Sequence, residues 1–206
     1  MKKTIYFMRH SEVQKGINQE FNNDTLQIIN EKCILSSNGE KLAYDVSKLD
    51  EFKDIDLVVS SSYVRAMATA KYFINENNEY AVVDYFNERK HGVDSWDELP
   101  EEFEEKQFND FNFKVKNGEC LNEVRERMLN GLHLLLEHYD CSNILVVSHA
   151  TCITAMLSTW CDVSYGKDIK FKDKVIMDHG WNYLECFKLE FEDNLLVNIE
   201  NLNFSN

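Results

Sequence analysis

Four short apolar runs limit what this chain can fold into. They occupy residues 3–8, 56–59, 80–83 and 143–148. None is long enough to make a helix, and all are rich in β-branched, aromatic or aliphatic residues, so they read as buried strands. Helical patterns fall between them. One opens at Ser37-Asn38-Gly39-Glu40 and continues through Leu42, Val46 and Leu49. Another follows Ser60-Ser61-Ser62, which supply N-cap candidates for a helix through Ala66, Ala70 and Phe73. Residues 119–139 form an amphipathic helix with Val124, Met128, Leu132, Leu135 and Leu136 on one face, and a further helix spans 150–160. Alternating strands and helices predict an α/β fold: a three-layer αβα sandwich with a mainly parallel central sheet and helices on both faces. The runs 183–191 and 195–202 flank Glu192-Asp193-Asn194 and predict a hairpin that gives the sheet an antiparallel C-terminal edge. Residues 11–36 are polar and asparagine-rich without a period, and read as loop.

No proline-, glycine- or serine-rich linker interrupts the pattern, and 206 residues suit one domain, 1–206. The weakly patterned stretch is 84–118. It holds ten acids against five bases, the single proline Pro100, and Phe103, Phe108, Phe111 and Phe113. Such a long stretch inside a compact domain is usually partly helical and often functional, so it reads as an inserted lid-like region. The phenylalanines read as a local core beneath it, with a substrate-facing lid as the alternative.

Charge narrows the partners. Twenty-two Lys plus Arg against 36 Asp plus Glu leave −14, a field that repels nucleic-acid backbones and anionic lipid. Neither nucleic acid nor membrane is expected as a partner, and no apolar run approaches the roughly 20 residues of a membrane span. The apolar run after Met1-Lys2-Lys3 meets Arg9 and His10 too soon to be a signal segment, which predicts a cytoplasmic protein. The six cysteines are scattered without a CxxC pair and the six histidines lack ligand spacing. Reduced thiols, no metal and no cofactor are expected. Oligomeric state is not legible.

The chemistry gathers where strands end. The first run ends in Arg9-His10, the second leads through Ser60-Ser61-Ser62 to Arg65, and the fourth ends in Ser148-His149. Carboxyl ends of parallel strands share one edge of the sheet, where ligands bind. Two histidines and two arginines therefore converge, a local basic cluster in an acidic chain. Arginine forks beside helix N-termini suit a phosphate dianion. An unprotonated imidazole can attack phosphorus and carry the phosphoryl group, while a second histidine and the arginines neutralise its oxygens. The departing oxygen needs a proton, for which Glu88, just past the third strand, is the candidate if its surroundings keep it protonated.

In these features the chain resembles the histidine phosphatase superfamily, also called phosphoglycerate mutase-like. The family's Arg-His-Gly-Glu-Thr opening is similar to Arg9-His10-Ser11-Glu12-Val13. Its Leu-Thr-x-x-Gly helix start is similar to Leu35-Ser36-Ser37-Asn38-Gly39, and its Ser-Ser-Pro-Leu-x-Arg-Ala block to the segment from Ser60 through Arg65 to Ala70, without the proline. Glu88, Gly92 and Trp96 follow in order, then Gly118-Glu119-Cys120, then Val147-Ser148-His149-Ala150. The resemblance implies a phosphohistidine enzyme with His10 as nucleophile, Arg9 and Arg65 as phosphate ligands, His149 completing the pocket and Glu88 as proton donor. Ser11 stands where the family has glycine, yet leaves the backbone carbonyl that orients the nucleophile. Val13 lacks a hydroxyl often turned to the phosphoryl group, and Ala150 again replaces glycine. The implied activity is a metal-independent phosphomonoesterase of the histidine acid phosphatase type, acting on a small phosphorylated metabolite. The alternatives are a phosphoglycerate-type phosphomutase and a catalytically silent phospholigand-binding module.

Overall fold

The computed structural model describes residues 2–16, 24–166 and 168–204. β1 (Lys2–Arg9), β2 (Leu57–Ser60), β3 (Glu79–Val82), β4 (Asn143–Ser148), β8 (Cys186–Glu192) and β9 (Leu195–Leu202) form one sheet in the order β3-β2-β4-β1-β8-β9. The β3–β2, β2–β4 and β4–β1 pairings are parallel; β1–β8 and β8–β9 are antiparallel. The hairpin expected from residues 183–202 thus forms the antiparallel edge.

Period-two alternation sends successive side chains to opposite faces, and both faces are covered. Ile5, Phe7, Val59, Ile144 and Val146 share one core with α5 (Leu121–His138) and α6 (Ala150–Leu157). Tyr6, Met8, Val58, Leu145 and Val147 share the other with α2 (Ser37–Ser47) and α3 (Val64–Ala70). Burying each large apolar side chain contributes about 1.5–3 kcal/mol, so a one-residue slip of a central strand would be ruinous. The register is therefore firm where the site needs it. Arg9 pairs with Ser148, and Ser60 with Val147, so β1, β2 and β4 end side by side.

Two sequence readings are corrected, and one element escaped them. Within residues 11–36, α1 (Leu26–Lys32) is a seven-residue helix; it buries Leu26 alone, too little to print a period on the sequence. It is held from outside, by Leu26 N–H to Asp94 O and by Gln27 to the Tyr63 hydroxyl at 2.6 Å. The cap of α3 is Tyr63, not one of the serines before it, and Ser61 is engaged elsewhere. A second small sheet of β5 (Cys161–Asp162), β6 (Ile169–Phe171) and β7 (Lys174–Met177) was not legible, its strands being two to four residues long. The 84–118 stretch contains α4 (Phe103–Asn109), and Gln107 Nε2 ties it to Phe113 O and Glu119 O.

Gly39 fixes how the segment after β1 meets α2. Ser36 caps α2 through the Gly39 N–H at 2.9 Å, and its own N–H donates to Glu12 O. Ser11 Oγ donates to Gly39 O at 2.7 Å. A Cβ on Gly39 would stand 2.0 Å from the Glu12 carbonyl oxygen. Overpacking of this kind costs about 1–3 kcal/mol, and a domain of this size loses roughly 2–4 °C per kcal/mol. Gly39→Ala should lower the Tm by about 5 °C and disturb the backbone next to His10. A Tm within about 1 °C of the parent would show that the contact yields freely.

Candidate active site at the strand edge

His10 follows β1 directly, its N–H continuing the ladder to Ser148 O. The imidazole is buried, and its Nδ1 lies 2.8 Å from Ser11 O. A carbonyl only accepts, so Nδ1 carries the proton and Nε2 keeps a lone pair. Burial, then the charge of Arg65, hold His10 well below the ordinary imidazole range; Arg9 adds to this, and the Ser11 carbonyl opposes it. The carbonyl that positions the ring belongs to Ser11, so serine in place of glycine leaves that contact intact and adds the Oγ bond to α2.

His149 faces His10, ring centroids 5.3 Å apart. Its protonation is set through neighbours. The Ser62 N–H donates to Asn87 Oδ1 at 2.8 Å, which identifies that atom as oxygen. Ser61 Oγ must then donate to Asn87 Oδ1 at 2.9 Å, and it accepts from the Tyr63 N–H. It also accepts, at 2.9 Å, from His149 Nε2–H. That leaves His149 Nδ1 as the acceptor for Arg65 Nη2 at 3.0 Å. Burial first, then Arg65 and His10, hold His149 well below the ordinary range as well.

The two arginines approach from different elements. Arg65 is 4% exposed on α3. The Arg9 guanidinium donates to Trp181 O at 2.7 Å and stacks 4.5 Å from the Tyr183 ring centre. Glu88 completes the group. Its Oε1 accepts from the Arg89 N–H at 2.9 Å and from the Cys152 thiol at 3.2 Å. Its Oε2 is turned to Arg65 at 3.9 Å and His149 Nδ1 at 3.8 Å. Burial pushes the Glu88 carboxyl up, but Arg89, Arg65, the Arg89 amide and Cys152 outweigh it, and the net direction is down. The expectation of surroundings that keep Glu88 protonated is corrected: its surroundings favour the carboxylate.

All five residues predicted from sequence, Arg9, His10, Arg65, Glu88 and His149, thus meet at one edge. Sequence reasoning missed Ser61, Asn87, Arg89, Cys152 and Tyr183. Ser61 was read as a cap, Asn87 and Arg89 lay in the unpatterned stretch, and Cys152 looked like any buried helix residue. His91 is buried against Trp96, ring centroids 5.0 Å apart, while His133, His138 and His179 are exposed. The phenylalanine run divides: Phe103 packs under Arg89, whereas Phe108 meets Tyr165 near the site.

Two buried neutral histidines link stability to pH. Both fold with affinities for protons below the free value of 6.5. Their contribution is complete above that value and is lost as pH falls toward the folded values, because the unfolded chain takes up protons that the native one refuses. The urea midpoint should therefore drop between about pH 7 and about pH 5, and drop less in His10→Gln. An equal drop in both proteins would show that His10 is not held neutral.

Comparison with known proteins places this geometry. The family model described as histidine phosphatase superfamily (branch 1) matches residues 5–185. An uncharacterized phosphatase, PhoE, of Bacillus subtilis (strain 168) is 28% identical over 156 residues, covering 75% of each chain. Among solved structures, Bacillus stearothermophilus YhfR superposes with a TM-score of 0.69 at 18% identity, over 95% of this chain and 94% of that one. The mycobacterial glucosyl-3-phosphoglycerate phosphatase superposes at 0.66 and 15% identity, over 92% and 91%. These likenesses carry the fold, and the family match spans both histidine motifs: the chain belongs to branch 1 of the histidine phosphatase superfamily.

Proposed function

We propose that the protein is a phosphomonoester hydrolase that works through a phosphohistidine at His10, without metal or cofactor, on a small phosphorylated metabolite. The observation that carries the reading is the His10 ring, Nδ1–H fixed on Ser11 O at 2.8 Å and Nε2 left as a lone pair beside Arg9, Arg65 and His149. Nε2 attacks phosphorus as the P–O bond to the alcohol breaks. Arg9, Arg65 and His149 hold the non-bridging oxygens, supplying the charge a metal supplies elsewhere. An incoming dianion draws Arg65 away from Glu88 and adds negative charge nearby, both of which raise the carboxyl's proton affinity. Oε2, the oxygen facing the pocket, then delivers a proton to the leaving alcohol. In the second half, the Glu88 carboxylate takes a proton from water as that water attacks the phosphohistidine, releasing inorganic phosphate and restoring His10.

Hydrolysis is favoured over phosphoryl return to a second substrate. The 84–118 segment, proposed as a lid-like part of a single domain 1–206, carries five bases among ten acids. That composition disfavours retention of a bisphosphate. Relatives named as phosphatases support the same choice. The reading extends to a cytoplasmic protein acting on small molecules, not on nucleic acid or membrane. Among the described residues no helix is long and apolar enough to cross a membrane.

His10→Ala should abolish release of phosphate from p-nitrophenyl phosphate in EDTA while the fold is kept. Vanadate, which mimics the transferring group, should raise the Tm of the parent protein. Turnover above a few per cent in the folded variant would overturn the phosphohistidine, and no turnover by the parent would favour a silent binding module.

Glu88→Gln separates leaving groups. An alkyl phosphate expels an alkoxide that needs a proton, whereas p-nitrophenolate departs without one, so kcat/KM should fall about a hundredfold more for the alkyl ester. Equal losses on both would remove Glu88 as the proton donor.

A further inference from the structure

A cavity of about 200 Å³ opens beside the phosphoryl pocket. Its apolar wall is Phe108 from α4, Tyr165 and Ile169 from the small-sheet region, Met177 from β7, and Trp181. Two contacts and one chain adjacency fix its place. Arg9 donates to Trp181 O at 2.7 Å. Ala150, another lining residue, directly follows His149. Glu104, also lining, is 2.8 Å from Arg89, the neighbour of Glu88. The cavity thus adjoins residues bonded to or next in sequence to Arg9, His149 and Arg89, beside the phosphoryl pocket.

The rings are held in place. Trp181 Nε1 donates to Thr154 Oγ1 at 2.9 Å, its indole packs 5.3 Å from Phe187, and the Phe108 and Tyr165 centroids are 5.9 Å apart. Among the described lining residues there is no lysine or arginine; Glu104 is ion-paired with Arg89, and the His179 imidazole also lines the cavity. A carboxylate or second phosphate would meet the apolar wall with no guanidinium or ammonium group among the described lining residues, a costly burial. An enclosed apolar cavity of about 150 Å³ accommodates benzene, so this one has room for a single ring with its carbinol arm.

Resting on the hydrolase reading above, we propose that the preferred substrates are phosphomonoesters of uncharged alcohols bearing one ring-sized apolar group, seated among Phe108, Tyr165 and Trp181. The test compares benzyl phosphate, ethyl phosphate and 3-phosphoglycerate with the purified protein. All three release an alkyl oxygen, so differences report recognition. Benzyl phosphate should exceed ethyl phosphate in kcat/KM by about tenfold and 3-phosphoglycerate by about a hundredfold. Tyr165→Ala, at a ring exposed enough to spare the fold, should cut the benzyl-to-ethyl ratio several-fold, and Phe108→Ala likewise. Turnover of 3-phosphoglycerate as fast as benzyl phosphate, or a ratio unchanged in both variants, would overturn the pocket assignment and leave the hydrolase reading standing. No turnover of any ester, p-nitrophenyl phosphate included, would remove both.

Discussion

β4 lies between β1 and β2 with its last residues paired to theirs, and the backbone carries that pairing just past the strand ends. The His10 N–H donates to Ser148 O, and the Ser61 N–H to Val147 O. Those two bonds place His10 and Ser61 on either side of His149. The constraint beneath them is apolar: Phe7, Val59 and Val146 on one face, Met8, Val58 and Val147 on the other, all buried. Slipping β4 by one residue would turn each of its side chains to the wrong face and pull His149 out of line with His10. The same packing that stabilises the sheet therefore sets the spacing between the two imidazoles.

The legible parts of the fold were those with a strong period or a long apolar run. α5 showed seven buried positions over 18 residues, and β1 and β4 were dense enough to be found by eye. α1 and the β5–β7 sheet were not legible, because Leu26 is the sole buried residue of one and strands of two to four residues cannot show alternation in the other. The site followed the same division. Arg9, His10, Arg65 and His149 adjoin strand or helix ends that the pattern reveals. Asn87 and Cys152 act through contacts made across 25 to 65 positions of chain, which no local pattern records.

Net charge and local charge oppose one another here. A chain at −14 keeps Arg9 and Arg65 together at one strand edge, with Arg65 almost wholly buried. Each has a standing partner: Arg9 has the Trp181 carbonyl and Tyr183 face, Arg65 has His149 and the carboxylate of Glu88. The arginines are thus held in place by the protein itself, so little rotamer freedom would be lost in binding an anion as proposed. Glu88 sets a carboxylate against Arg65 at this edge, and under the proposed mechanism an anion taking over that balance would free it to carry a proton.

The hydrogen-bond chain from Asn87 through Ser61 to His149 has a direction, and main-chain atoms set it. The Ser62 and Tyr63 amides can only donate, and the Ser11 carbonyl at the other imidazole can only accept. Which nitrogen of each histidine bears hydrogen is therefore spelled largely in peptide groups, whose polarity every amino acid shares. Mutational drift along this edge can exchange side chains such as Ser11 or Ala150 and still inherit the same arrangement of protons.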